Sequence, residues 1–249
     1  MEIININKDS KIVLDTQAKE VEININKCKV VISDISSCIK TINVNEGELD
    51  YCFVKKDNLD ISNKINLVSS SANIRVVDIY DGSSDNDYVF NLNSEASELD
   101  FSVASIAKSN VNKVYKIRSN NNIRATSVKI DCFGIVEDSS LLKYDITSFI
   151  SNGAKGSRVN QNSKILLFDK ESIGINNPIL EIEENDVKAN HGSSIGMIDE
   201  ETLFYLTSRG IKESEARNLV SLGKINYLIE EVRDEKIKED LLKLMIKGV

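Results

Sequence analysis

A chain of 249 residues, 41% of them apolar, is long enough to bury a substantial core as one domain or two. Its net charge of −8 argues against a nucleic-acid binder, which displays a basic face, and against a protein that docks on anionic membranes. No apolar run approaches the roughly 20 residues needed to span a bilayer, and no basic, apolar-cored leader opens the chain, so a soluble cytoplasmic protein is the expectation.

From Met1 to about Ile195 short runs alternate apolar and polar residues. Ile4 and Ile6 alternate with Asn5 and Asn7; Val21, Ile23 and Ile25 do the same. Val30 and Ile32, Leu59 and Ile61, Ile65 and Leu67, and Ile74 and Val76 continue the pattern. It returns at Leu99, Phe101 and Val103, at Val128, Ile130 and Cys132, and at Leu142, Tyr144 and Ile146. The last runs are Ile165 and Leu167, Ile173 and Ile175, and Leu180 and Ile182. A period of two with one buried face predicts strands. Asn, Ser, Asp and Gly clusters near Asp81, Ser119 and Ser151 separate the runs, and these residues suit turns. No helical pattern intervenes, which leaves a sandwich, a barrel or a β-solenoid. Short, closely spaced strands, abundant Asn able to ladder between coils at the turns, and a single proline favour the solenoid. No exact short repeat is visible, so any coil repeat is irregular.

Past Met197 the pattern becomes helical. Asp199 serves as N-cap, Glu200 and Glu201 fill the first turn, Leu203, Phe204 and Leu206 follow, and Gly210 ends the helix. A second helix is expected from Glu213 to Leu222, burying Ala216, Leu219 and Val220 and stopping at Gly223. A third carries Ile225, Leu228, Ile229 and Val232; a fourth carries Ile237, Leu241, Leu244 and Met245. The chain thus divides into a β body, 1–197, and a helical tail, 198–249. The tail is too small to build a core comfortably and should pack on the end of the body, on a partner, or both.

His191 is the only histidine, so a site with two or three histidines within one subunit is impossible. The chain has no GxSxG elbow, no Walker A motif and no GxGxxG fingerprint. Cys28, Cys38, Cys52 and Cys132 form no CxxC pair and read as reduced, buried structural thiols. The acidic run Glu181, Glu183, Glu184 and Asp186 reads as solvated edge charge rather than paired catalytic carboxylates. A lone histidine is more often a hydrogen-bonded structural residue than a ligand, although imidazole suits both proton transfer and metal ligation.

The stretch from Pro178 onward carries a longer pattern. Pro178, Leu180 to Ile182, Asp186 to Lys188, His191 and Gly192 are followed by Ile198 to Glu201, Leu203 to Leu206 and Ser208 to Ile211. Glu215, Ala216, Leu219 and Val220 complete it. This series resembles the C-terminal core of the SufB/SufD family, with a looser likeness back to Ile130. The resemblance implies a right-handed parallel β-helix followed by a small C-terminal α-helical domain. It implies a non-enzymatic scaffold of SUF iron–sulfur cluster assembly that docks a SufC-type ABC ATPase and pairs through its β-helix. The pairing would be as a homodimer or with a SufB-type paralogue. His191 falls at the family histidine, a proposed ligand of a transient iron–sulfur cluster shared across the dimer. The cysteine of SufB-type subunits falls on Ser163 or the adjacent Asn162, and a cysteine common in SufD-type subunits falls on Ala189. A partner would then supply the thiol, or Cys132 would, or the subunit would be mainly structural. Phe204, Tyr205, Ser208, Arg209 and Ile211 are the expected ATPase contacts, aromatic and Arg residues being the usual anchors. The chain is shorter than typical members, which suggests a minimal system. The competing readings are a solenoid adaptor of the ATPase that binds no cluster, and a β-helical carbohydrate-active enzyme. The scarcity of aromatic platforms, 6% with no tryptophan, weighs against the latter.

Overall fold

The computed structural model describes residues 1–55, 59–230 and 235–247. Sixteen strands come first among these. They are β1 (Glu2–Ile6), β2 (Ser10–Leu14), β3 (Glu20–Asn26), β4 (Lys29–Asp34), β5 (Ile39–Asn45), β6 (Glu48–Val54), β7 (Ile61–Val68) and β8 (Ser71–Asp78). Then come β9 (Ser84–Leu92), β10 (Glu98–Ala107), β11 (Asn112–Asn121), β12 (Ser127–Val136), β13 (Leu141–Ile150), β14 (Arg158–Leu167), β15 (Ile173–Ile182) and β16 (Lys188–Met197). Three helices follow: α1 (Glu200–Ser208), α2 (Glu213–Glu230) and α3 (Glu235–Lys247).

Odd strands stack into one eight-stranded parallel sheet, β1 to β15, and even strands into a second, β2 to β16. Each coil contributes one strand to each sheet, so the chain is a parallel β-helix followed by a small helical region. The step between coils lengthens from 19 residues at Asn5–Asn24 to 25 at Asn66–Asn91 and 32 at Asp145–Asn177. Strands lengthen with it, from five residues to ten. A repeat that grows along the chain is why no fixed period is visible in the sequence.

Parallel stacking puts like residues in columns. Asn5, Asn24, Asn43, Asn66, Asn91 and Asn120 form a ladder in which each side-chain amide donates to the rung before it, at 2.7–3.1 Å. The ladder stands within the strands of the odd sheet, not at the turns where it was expected. A strand position has fixed φ/ψ, so successive amides superpose at the coil spacing. The turns use another device: Lys27, Glu46, Ala96 and Ala125 take left-handed backbone at the corners. The single proline, Pro178, lies in β15, the edge strand of its sheet, where its missing N–H need not cost a ladder bond.

Inside the tube Ile, Val and Leu are joined by Tyr51, Tyr88, Tyr115 and Tyr144, all fully buried. Two buried ion pairs are held there by phenols. Lys40 meets Asp34 at 3.1 Å, and the Tyr51 hydroxyl donates to the same carboxylate at 2.5 Å. Lys113 meets Asp78 at 2.7 Å, and Tyr115 donates to Asp78. Burial pushes the Asp34 carboxyl up, against the opposing pull of Lys40 and Tyr51. Burial first, then the neighbouring carboxylates, keep Tyr51 and Tyr115 protonated as donors.

The helical tail lies on the flank of the even sheet and does not cap the tube's end. Ile225, Leu228 and Ile229 of α2 and Leu241 of α3 join Val54, Val77, Ala104, Ile106, Phe133 and Ile135 in a second core. That is why the late halves of β6, β10 and β12 are buried on both faces. Arg217 anchors α2: its guanidinium donates to the Phe168 carbonyl at 2.8 Å and lies over the Phe168 ring. The expected second and third helices are one helix, because Gly223 does not stop α2. It has ordinary helical backbone, and Ile225, Leu228 and Ile229 beyond it continue the buried face. Leu219 is exposed and Val220 half-buried, Ser221 taking the buried position. Val232 lies outside the described residues, as do the side chains of Ile237, Leu244 and Met245.

Two stability outcomes follow from these contacts. Asp78→Ala strands a buried ammonium and should cost about 3–5 kcal/mol, whereas pairing it with Lys113→Met should recover most of the loss in urea unfolding. A cost below about 1 kcal/mol for the single change would mean the pair is not held as described. Gly223→Ala adds a Cβ that meets nothing within 4 Å and should raise stability by about 0.5–1 kcal/mol.

Candidate functional site

The last coil, β15 and β16, ends both sheets, so its outer edges have no strand partner among the described residues. Its side chains are exposed, Ile179, Ile182, Ile195 and Met197 among them. His191 sits in the middle of β16, exposed to solvent. Pairing with β14 sets Ala189 beside Val159, His191 beside Gln161 and Ser193 beside Ser163. On β14, Val159, Gln161 and Ser163 are the inward, buried set. His191 therefore stands over the mouth of the tube, in register with the buried Gln161.

Ser163 and Ala189, on which the resemblance would set the family cysteines, belong to the same inward set, whereas Asn162, the alternative to Ser163, is exposed. Ser163 is buried, and its hydroxyl has no hydrogen-bond partner; Ala189 is half-buried against the tube core. Cys132 is one strand further in, beside Ser163 in register. Its thiol is 4% exposed, and burial, with Asp131 adding to it, pushes the thiol well above its ordinary range. A protonated, covered thiol is neither a good nucleophile nor a soft ligand. All four cysteines are buried and none is in a disulfide, and no group of three or more His, Cys, Asp or Glu among the described residues could hold a metal ion. One imidazole at an open edge offers a single ligand atom, and the described residues place no other His, Cys, Asp or Glu set beside it.

The acidic run does more than meet solvent. Glu181 pairs with Arg118 at 2.9 Å. Glu184 accepts backbone N–H bonds from Asp186, Gly153 and Asn185, which hold its carboxyl below the usual range and tie the last turn to the one beneath it.

After Ile198 the chain enters α1. Asp199 caps it, accepting from the Glu201 N–H at 3.1 Å and the Thr202 hydroxyl at 2.6 Å, and both bonds hold its carboxyl low. Gly210, at φ +88°, closes it: its N–H reaches the Thr207 carbonyl at 2.9 Å and that of Ile211 reaches Leu206 at 3.3 Å. Leu203 turns inward against the second core. Phe204 (74% exposed) and Tyr205 (57% exposed) point outward. The Arg209 guanidinium lies 5.1 Å over the Tyr205 ring, and the Ser208 hydroxyl donates to the Tyr205 carbonyl at 2.8 Å. Ile211 is half-buried at the helix exit. Of the expected contact residues, then, Phe204, Tyr205, Ser208 and Arg209 share one exposed surface. A groove of about 400 Å³ lies elsewhere, between the even sheet, where Asp131, Asn162, Lys164 and Ser194 line it, and Tyr227 of α2.

Sequence reasoning missed Gln161 and the apolar strip beneath α2. The strip had a visible signal: Cys52-Phe53-Val54, Val76-Val77 and Ile135-Val136 break the alternation with consecutive apolar residues. Gln161 had none, because its meaning depends on what stands in register with it.

In comparisons with known proteins, residues 4–224 match the family described as SUF system FeS cluster assembly, SufBD core domain. The chain is 34% identical over 116 residues to the iron–sulfur cluster assembly protein SufD of Bacillus subtilis, covering 47% of this chain and 26% of that protein. It is 43% identical over 65 residues to SufD of Escherichia coli, covering 26% of this chain and 15% of that protein. A SufBD family protein of Staphylococcus saprophyticus is 31% identical over 125 residues, covering 49% of this chain and 27% of that protein. The matches thus span about a quarter or less of these relatives. Among the described residues no helix is long and apolar enough to cross a membrane.

The reactivity of Cys132 can be checked directly. In the native chain at neutral pH its alkylation by iodoacetamide should be at least roughly tenfold slower than in urea, read by mass spectrometry of the labelled peptide. Equal rates would place the thiol at the surface.

Proposed function

This chain belongs to the SufBD core family of SUF iron–sulfur cluster assembly, and on that premise we propose that it is a scaffold subunit on which a cluster is built as transient cargo. The observation that carries the reading is the last coil: two open sheet edges, exposed apolar side chains and the single imidazole stand together at one end of the tube. An unpaired parallel edge is a template for another strand, so two such ends can pair through β15 and β16. Pairing would cover Ile179, Ile182, Ile195 and Met197. It would also bring His191 to the partner's ligands, since iron–sulfur clusters are held chiefly by thiolates with histidine as an occasional substitute.

The second half of the reading is an ABC ATPase seated on Phe204, Tyr205, Ser208 and Arg209. Its support is the outward aromatic pair on a well-capped helix, with the guanidinium stacked on one ring. Leu203 of that helix packs into the second core, which also holds Leu166 of β14 and Ile198 just past β16. A movement of the docked ATPase would therefore act on the flank of the coil that carries His191. The adaptor reading without cluster binding has its own support, since Ser163 and Ala189 offer no thiolate.

Co-expression with an ABC ATPase of the same operon, anaerobic purification and reconstitution with iron and sulfide separate these readings. Phe204→Ala with Tyr205→Ala should weaken ATPase capture at least tenfold while leaving the circular dichroism unchanged. His191→Ala should abolish cluster retention and leave capture intact. Capture of the ATPase by an unaltered chain that holds no cluster would leave the adaptor reading, full cluster retention by His191→Ala would remove His191 as a ligand, and no capture by the unaltered chain would end the scaffold reading.

A further inference from the structure

Resting on the reading of His191 as a ligand, we propose that Gln161 is its positioning residue: the buried side-chain oxygen of Gln161 takes the N–H of one imidazole nitrogen and leaves the other nitrogen presented outward.

Gln161 is fully buried in the penultimate even strand, directly beside His191 in the parallel register. Neighbouring strands lie about 4.8 Å apart, so an imidazole on one reaches an amide on the next. The Gln161 amide nitrogen crosses the tube and donates to the Ser148 hydroxyl at 2.7 Å and to the Ile179 carbonyl at 3.2 Å. A backbone carbonyl can only accept, so the nitrogen must face Ile179 and the oxygen must face away from it. That oxygen is buried and has no hydrogen-bond partner. Leaving a buried acceptor unmet is costly, and the inner neighbour in its column, Ile130, has nothing to give. On the open side the column continues to His191. Ser193, the other donor on that face of β16, stands over Ser163, whose hydroxyl is equally unpaired.

Imidazole suits both demands, since its neutral form carries one N–H and one lone pair on opposite sides of the ring. Metal-bound histidines almost always donate their second nitrogen to a fixed acceptor, which sets the tautomer and the ring orientation. With no coil above β16, the ring is free to turn until its N–H meets Gln161. The chain then presents a preoriented nitrogen to ligands arriving with the partner.

One histidine makes the test clean, because long-range ¹H–¹⁵N spectra of the labelled full chain contain a single imidazole. At about pH 8.5, where a free imidazole is neutral, the unaltered chain should show one tautomer and a ring N–H slow enough in exchange to be observed. Gln161→Leu should return the mixture of both tautomers and lose the N–H signal. Gln161→Glu, which keeps an acceptor oxygen, should retain the single tautomer. A mixture in the unaltered chain overturns the proposal without any variant, and so does a single tautomer that survives Gln161→Leu. Neither readout involves a cluster, so its failure is distinct from cluster retention by His191→Ala. Where both hold, Gln161→Leu should release reconstituted cluster to a chelator on the order of 10- to 100-fold faster.

Discussion

Parallel pairing of each strand with the strand one coil away is the constraint on which everything else in this molecule depends. Its register is continuous from β1 to β15 and from β2 to β16, so a residue's neighbours are set by its column. The asparagine ladder, the buried tyrosines and the inward set of Cys132, Ser163 and Ser193 are all consequences. So is the tolerance for a growing coil: the strands lengthen from five residues to ten while the columns stay aligned.

The same pairing creates the functional problem and its answer. A stack of coils satisfies its backbone everywhere except at its ends. The helical tail does not cover the last coil: α2 packs instead on an apolar strip along the flank of the even sheet. The end is left open, with His191 at its mouth. Tail and end nevertheless meet across one groove, between Lys164 and Tyr227.

Part of the fold was legible. Alternation marked ten of the sixteen strands but not β2, β5, β6, β9, β11 or β16, and the lone proline proved compatible with its place at an edge. The capping of α1 by Asp199 and Gly210 was readable because caps are local chemistry, formed by residues two to four apart. The α2 boundary was misread because Gly223 is a weak stop signal, and the tertiary burial of Ile225, Leu228 and Ile229 overrides it.

The site divides along the same line. Composition, the lone histidine and the ordered motif from Pro178 to Val220 determined by themselves the β-rich body, the helical tail and the family. Only the tertiary structure decided that His191 stands exposed over a buried glutamine, that Ser163 and Cys132 face inward, and that the tail lies on the flank and not the end. Those facts depend on register and on which face is covered. Residues such as Gln161 and His191 become neighbours only when coils stack, and the length of each coil varies along the chain with its strands, so no fixed spacing in the sequence marks the pairing.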